Sequence, residues 1–456
     1  MGSDSTRRAL LRSTAGAGVV GLAGCLGFLE DDEPAGPEPE NGEEIEVDPD
    51  QINIWHGMGG DLGDAFESMA EEFDGADELD IDFQGSYRDV LNNTLASIEA
   101  GTVPDIVQIA RYETKQVLDT EAFQPVENVL PEDYPVDDLL PALVNYFTMD
   151  DTLQSMPFNN SNAILYYNAS AFEEAGLDPE SPPDTLEEVR EYSEQLVDSG
   201  AVEYGFGWPN HMWFIEHWYA LEDELLFDNE NGRADDPTTI YLDEGVGVEV
   251  HEWWREMNED DLFVNPGMEA WGEATELFTS QRAGMIMNTT AAVAGIVETA
   301  EEEGFEAGTH FHPTLGGRTG TPIGGGSFWV SGDVSDEKAE RIGEFIAHMT
   351  QPDQQIFWHE NTGYYPVREK AVTELKEEGW FEENPQYRTA FDQLQETEPT
   401  PATGGAMLGP SHSVRTIVQE TSLDIVDERV EVDEGLSTAR EEVEAELERY
   451  REVMSS

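Results

Sequence analysis

The chain has 456 residues, of which 99 are Asp or Glu and 22 are Lys or Arg, for a formal net charge of −77. That balance excludes a nucleic-acid binder, which needs a basic face to displace counterions from phosphates. A hydrophobic content of 38%, with 10% aromatic residues spread along the chain, excludes a disordered polyanion and leaves a folded protein with a very acidic surface; the length allows two or three domains, each with its own core.

Only Lys115, Lys338, Lys370 and Lys376 are lysines; the other basic residues are arginines. So much like charge strains a compact state at ordinary ionic strength, but at about 1 M salt the Debye length falls to roughly 3 Å and the repulsion is screened. A halophilic source is inferred. With so many carboxylates, a pair of acidic residues in the sequence carries little information about catalysis.

The N-terminus reads as an export label. Arg7 and Arg8 are followed by a small-residue apolar run, too short to span a bilayer, and then by Leu22, Ala23, Gly24 and Cys25. Residues 1–25 are therefore expected to be a twin-arginine lipoprotein signal, with Cys25, the single cysteine, as the acylated residue. Because one acyl chain anchors weakly, a two-chain attachment is implied. Residues 26–50, acidic and rich in Pro and Gly, are expected to be a disordered tether.

Beyond the tether the pattern is that of an α/β protein. A strand is expected at 52–55, then a glycine-rich turn at 57–63 and a helix at 64–73, a strand at 81–83, a helix at 90–100 and an apolar strand at 104–109. Thr185 with Glu188 forms a capping box that starts a helix running through Leu196. Further helices are expected at 339–349 and 437–453. Repeated βαβ units imply doubly wound sheets, and the length suggests two of them.

Catalytic motifs are missing from the sequence: there is no G-x-S-x-G, no phosphate-binding glycine loop and no H-E-x-x-H. His310 and His312 could share a strand face, but without a third ligand they read as ordinary strand histidines, and no metal or cofactor is expected. Trp208, Trp213 and Trp218 crowd a polar, Pro-interrupted segment that suits a stacking wall for a polyol or sugar, with a buried aromatic cluster as the alternative. Gly324, Gly325 and Gly326 let backbone approach either a ligand or a crossing strand.

Several blocks together carry a resemblance: Trp55-His56 with Gly60 to Gly63, Pro157-Phe158-Asn159 with Leu165-Tyr166-Tyr167-Asn168, and Ala175-Gly176-Leu177-Asp178-Pro179. Ile323-Gly324-Gly325, Trp358-His359 with Thr362-Gly363-Tyr364, and Leu408-Gly409 with Arg415 complete the set. The chain from Ile52 onward resembles the family 1 extracellular solute-binding proteins of ABC importers, and among them the glycerophosphate binders. The resemblance implies a two-lobed, type II, maltose-binding-protein-like α/β fold with hinge strands, closing over its ligand. The crossings are expected near 155–163, 321–327 and 362–367, with lobe 1 at 51–158 and 324–365 and lobe 2 at 159–323 and 366–456.

It further implies ligand contacts at Tyr87, Arg111, Ser161, Trp208, Trp213, Thr289, Gly325, Tyr364 and Arg415, with Arg415 and Tyr364 holding a phosphate. An arginine fork suits a phosphate or a vicinal diol. At one place the chain departs from the family pattern: Arg111 stands where a carboxylate is called for, so that either Glu113 serves instead or the specificity has changed. The implied function is non-enzymatic capture of glycerol-3-phosphate, a glycerophosphodiester, a polyol or a sugar by a lipid-anchored monomer on the extracellular face of the membrane, for delivery to permease subunits. An oligosaccharide binder of the same family is the alternative; a secreted hydrolase, which would need paired carboxylates in the cleft, and a purely structural lipoprotein, whose cleft would be filled, are the others.

Overall fold

The computed structural model describes residues 51–149 and 151–455, so the expected signal, Cys25 and the tether lie outside the described residues. Two separate sheets organise the chain. The first is centred on the strand Ile52–His56, with Leu79–Phe83 and Ile106–Ala110 parallel to it on either side. Gly324–Ser331 then pairs antiparallel with Ile106–Ala110 and carries Phe123–Gln124 and Met156–Ser161 on its far side. The second has the order Phe263–Val264, Tyr204–Gly207, Ala283–Thr289, Ala163–Asn168, Ala307–His310.

Ile52–His56 and Ile106–Ala110 are buried at every position, as strands covered on both faces must be. Alternation sorts their side chains: Ile54 and Ile106 enter a core with Phe66, Phe158, Phe328 and Trp358, whereas Trp55 and Val107 pack with Val90, Leu91 and Trp329 on the other face. The second sheet repeats the scheme, with Leu165 and Met285 in one cluster and Tyr166 and Ile286 in the other.

The chain passes between the sheets in narrow places. Met156–Ser161 belongs to the first sheet and Ala163–Asn168 to the second, with Asn162 alone between them. The return runs from His310, in the second sheet, to Gly324, in the first. Asn160 ties these crossings together: its side-chain amide donates to the carbonyls of Gly324 (3.1 Å) and Gly326 (3.3 Å), and its own carbonyl accepts from Tyr365 N at 2.8 Å. Gly325, at φ +79°, must be glycine, because a Cβ there would lie 1.7 Å from the Asn159 carbonyl oxygen.

Side chains cap several of the helices that surround these sheets. The expected helix at 90–100 is Tyr87–Ala100, starting three residues earlier because Ser86 and Asp89 form a reciprocal capping box. Thr185 and Glu188 form the expected box for Leu186–Ser199. Ser335 caps Asp336–Met349, and the C-terminal helix is longer than read, Val432–Met454.

Candidate functional site

A cavity of 810 Å³ opens between the two sheets, at the carboxyl ends of the parallel strands of the first. The turn after Ile52–His56 supplies Gly57 and Met58, the segment after Leu79–Phe83 supplies Ser86, Tyr87 and Arg88, and the segment after Ile106–Ala110 supplies Arg111 and Tyr112. From the second body come His211, Trp213, Glu269, Trp271, Asn288 and Thr289. The crossing strands contribute Ser161, Gly324 and Gly325; Tyr364, His412 and Arg415 complete the wall.

Arg415 is the most elaborately held of these groups. Its Nη2 donates to Glu216 Oε1 at 2.6 Å, its Nη1 lies 3.4 Å from His211 Nδ1, and its guanidinium covers the Tyr112 ring. Glu216 Oε2 accepts at 2.6 Å from Arg111 Nη2, so one buried carboxylate bridges two guanidiniums. Burial works against the Glu216 charge, but Arg111 and Arg415 outweigh it and hold the carboxyl below its usual range. Burial, with Arg415 and Arg111 beside it, pushes His211 well down, and burial with Arg88 lowers His412 to about 4. Both imidazoles are therefore neutral at pH 7.

On the opposite wall a chain of amides orients the phenols. Gly57 N donates to Gln108 Oε1 (2.7 Å), Gln108 Nε2 donates to Asn159 Oδ1 (2.9 Å), and Asn159 Nδ2 donates to Tyr87 Oη (2.6 Å). Burial, then the adjacent Tyr364, push the Tyr87 phenol well above its usual range, so it stays protonated and able to donate. Tyr364 is flat against Trp358, with ring centres 5.5 Å apart and planes at 3°. Trp213 is fixed by donating Nε1 to Ile323 O at 3.3 Å, and its ring lies so close to Gly324 that a Cβ there would stand 2.5 Å from it. Trp271 packs beside Trp213 and His211.

Of the residues singled out from sequence, Tyr87, Arg111, Ser161, Trp213, Thr289, Gly325, Tyr364 and Arg415 meet on this cavity, though the Arg111 side chain is 1% exposed and turned to Glu216. Trp208 is a correction. It is 1% exposed and enclosed by Trp254 (ring centres 4.3 Å), Phe263 (5.1 Å), Trp218 (5.3 Å) and Trp253 (5.8 Å), which leaves no face for a ligand. The polar, Pro-interrupted segment that follows it is the buried aromatic cluster that the sequence left as the alternative: every residue of Met212–Leu221 is buried, because Glu216 and His217 find internal partners.

Glu113 does not line the cavity either. It is buried, neither carboxyl oxygen has a hydrogen-bond partner among the described residues, and burial pushes it well above the usual carboxylate range despite Arg415. The carboxylate that does line the cavity is Glu269, which, like Trp271, Arg88, Tyr112, His211 and His412, is not among the contacts expected from the sequence. Arg88 and Tyr112 stand next to residues already chosen, and that adjacency was the available signal. His310 pairs with Asp184, and His312 stacks on His217.

Comparison with known proteins agrees with this architecture. The family described as bacterial extracellular solute-binding protein matches residues 65–389. The sn-glycerol-3-phosphate-binding periplasmic protein UgpB of Escherichia coli K12 is 29% identical over 419 residues, 89% of this chain and 94% of the relative; that of Pectobacterium atrosepticum is 29% identical over 416 residues, covering 88% and 92%. Among solved structures, UgpB from Mycobacterium tuberculosis in complex with glycerophosphocholine superposes with a TM-score of 0.74 at 20% identity, covering 88% of this chain and 98% of that one. Maltose-bound MalE3 of Thermotoga maritima gives 0.71 at 18% identity, with coverages of 86% and 98%. The fold is thus the two-lobed, maltose-binding-protein-like α/β fold, and the chain belongs to the bacterial extracellular solute-binding protein family.

Proposed function

We propose that this chain captures a phosphate-bearing glycerol derivative, glycerol-3-phosphate or one of its phosphodiesters, and delivers it unchanged to an ABC permease. The observation that carries the reading is Arg415, fixed by Glu216 and Tyr112 on the wall of an 810 Å³ cavity, in a chain whose net charge is −77. An anion is repelled by such a protein everywhere except where cations are gathered. Arg88 adds a second cation, and the first turns of Tyr87–Ala100 and Ser411–Val426 bring backbone N–H groups to the same wall. The relatives named for sn-glycerol-3-phosphate support the same ligand class. The cavity volume is within the range of about 300–1,000 Å³ usual for small-molecule sites.

On this reading the lobes are 51–161 with 324–365 and 163–323 with 366–456, the first boundary falling three residues later than expected because Met156–Ser161 stays in the first sheet; the binder is a monomer, and residues 1–50 export it and tether it through Cys25 to the outer face of the membrane. Neutral sugars are the second reading, favoured by the paired rings of Trp213 and Trp271. Calorimetry in molar KCl against glycerol-3-phosphate, glycerophosphocholine and maltose separates them: binding of the phosphates supports the proposal, binding of maltose alone replaces it with the sugar reading, and no heat from any of the three removes both.

A further inference from the structure

Arg415 is held in place by a residue that also reaches across the molecule. Glu216 is on Met212–Leu221, which packs into the core of the second sheet together with Val414 and Val418 of the helix that carries Arg415. Arg111 directly follows Ile106–Ala110 of the first sheet. One oxygen of Glu216 thus serves its own body and the other serves the opposite one, each at 2.6 Å, with side-chain exposures of 1% for Arg111, 3% for Glu216 and 4% for Arg415. The contact does not stand alone. Tyr146 Oη donates to Arg111 O (2.9 Å) and Ala406 O (3.3 Å), Lys115 Nζ lies 3.2 Å from Asp236, and Tyr450 Oη donates to Asp119 at 2.6 Å.

We infer that Arg111 and Glu216 form a latch between the two bodies that couples closure of the cleft to the anion-binding strength of Arg415. When the bodies separate, Arg111 leaves with the first, and the negative charge of Glu216 then neutralises Arg415, its one remaining charged partner, with the Ala406 N–H (3.4 Å) left on its other oxygen. When they close, Arg111 takes half of that carboxylate, and the positive charge of Arg415 is released toward the cavity. Buried as these groups are, the attraction is little screened by salt, whereas the acidic exterior is fully exposed to it. A protein adapted to concentrated salt can therefore keep a charge-driven closure that surface ion pairs could not give it. Arg111 and Glu216 act here as positioning residues: neither need touch the ligand. The anion part rests on the function proposed above; the closure part does not.

The test reads the distance between the bodies without ligand. In the full chain carrying Cys25→Ser, spin labels at Glu99→Cys and Gln195→Cys, both exposed and on helices of the two bodies, report it by double electron–electron resonance in about 2 M KCl, where surface pairs are screened. The unsubstituted pair is expected to populate a short-distance form that Arg111→Met and Glu216→Gln each lose, and the two substitutions together are expected to open the cleft no further than either alone. An unchanged distribution in Arg111→Met, or effects that add, overturns the latch. Should Arg111→Met fail to fold, Glu216→Gln is read by the same criterion. In the same samples Arg111→Met is expected to weaken sn-glycerol-3-phosphate about tenfold or more, as loss of a buried charge partner does; unchanged affinity removes the coupling to Arg415. If the unsubstituted protein binds no sn-glycerol-3-phosphate, the proposed function fails while the distance measurement still decides the latch.

Discussion

The guanidinium carbon of Arg415 lies 4.1 Å from the centre of the Tyr112 ring, and this stack leaves the edge of the guanidinium for hydrogen bonding, with one side taken by Glu216. Arg415→Ala is expected to weaken an anionic ligand by about 2–5 kcal/mol, as for a desolvated pair. Arg415→Lys is expected to recover little of this, since an ammonium neither stacks on a ring nor spans a carboxylate and a phosphate in one plane. Calorimetry on both variants checks the pair of outcomes; unaltered affinity in Arg415→Ala takes the residue out of the site.

Trp208 and Trp271 are expected to separate stability from binding. Trp208→Ala empties a fully packed position among five rings and is expected to cost about 3–5 kcal/mol of stability. Trp271, half-buried on the cavity wall, is expected to lose ligand affinity on change to Ala with a smaller loss of stability. Denaturant melts and ligand titrations on the two variants give the contrast.

Glu113 is expected to be a liability at neutral pH. Its folded-state pKa is raised by burial, so above the unfolded value of 4.5 the folded protein holds a proton that the unfolded chain releases, and stability falls as pH rises through that window. Glu113→Met, similar in volume and never charged, is expected to be more stable at pH 7 by about 1–3 kcal/mol, with the gain disappearing below pH 4.5. Melting temperatures of both proteins across pH 4 to 8 test it; a gain that persists unchanged in acid contradicts it.

The buried histidines act in the opposite direction. Burial lowers His56, His251 and His359 to about 4 each, from 6.5 when unfolded. Each is neutral in the folded protein while the unfolded chain takes up a proton, so each subtracts stability as pH falls from about 6.5 to about 4, by up to about 1.4 kcal/mol per pH unit. His359→Gln is expected to flatten that part of the curve by one proton, measured as the slope of unfolding free energy against pH.

Net charge should make stability depend on salt. At −77 the folded chain is held together against its own surface, and its melting temperature is expected to rise steeply as KCl goes from about 0.1 M, where the Debye length is about 10 Å, to about 1 M, where it is about 3 Å. A flat melting temperature over that range refutes the halophilic reading.

What could be read from the sequence was what short-range chemistry decides. The Thr185–Glu188 box was visible because its two hydrogen bonds join residues three apart, and the apolar run at Ile106–Ala110 because a strand buried on both faces has no polar alternation. Trp208 and Trp213, five residues apart in one aromatic segment, looked alike. Which one faced the cavity was settled by Trp253 and Trp254, which close over Trp208, and by Gly324, which makes room for Trp213. Glu216 could not be distinguished among 99 acidic residues; its role exists only once Arg111 and Arg415, distant in sequence, stand on either side of it. Arg111 was legible as a departure from the family pattern, but its partner was not.

Crystallising the protein from concentrated KCl with sn-glycerol-3-phosphate is the most direct test of the central claim. The phosphate is expected within hydrogen-bond distance of the Arg415 guanidinium, with the glycerol carbons against Trp213 or Trp271. A phosphate bound away from Arg415, or a cavity that stays empty at saturating ligand, contradicts it.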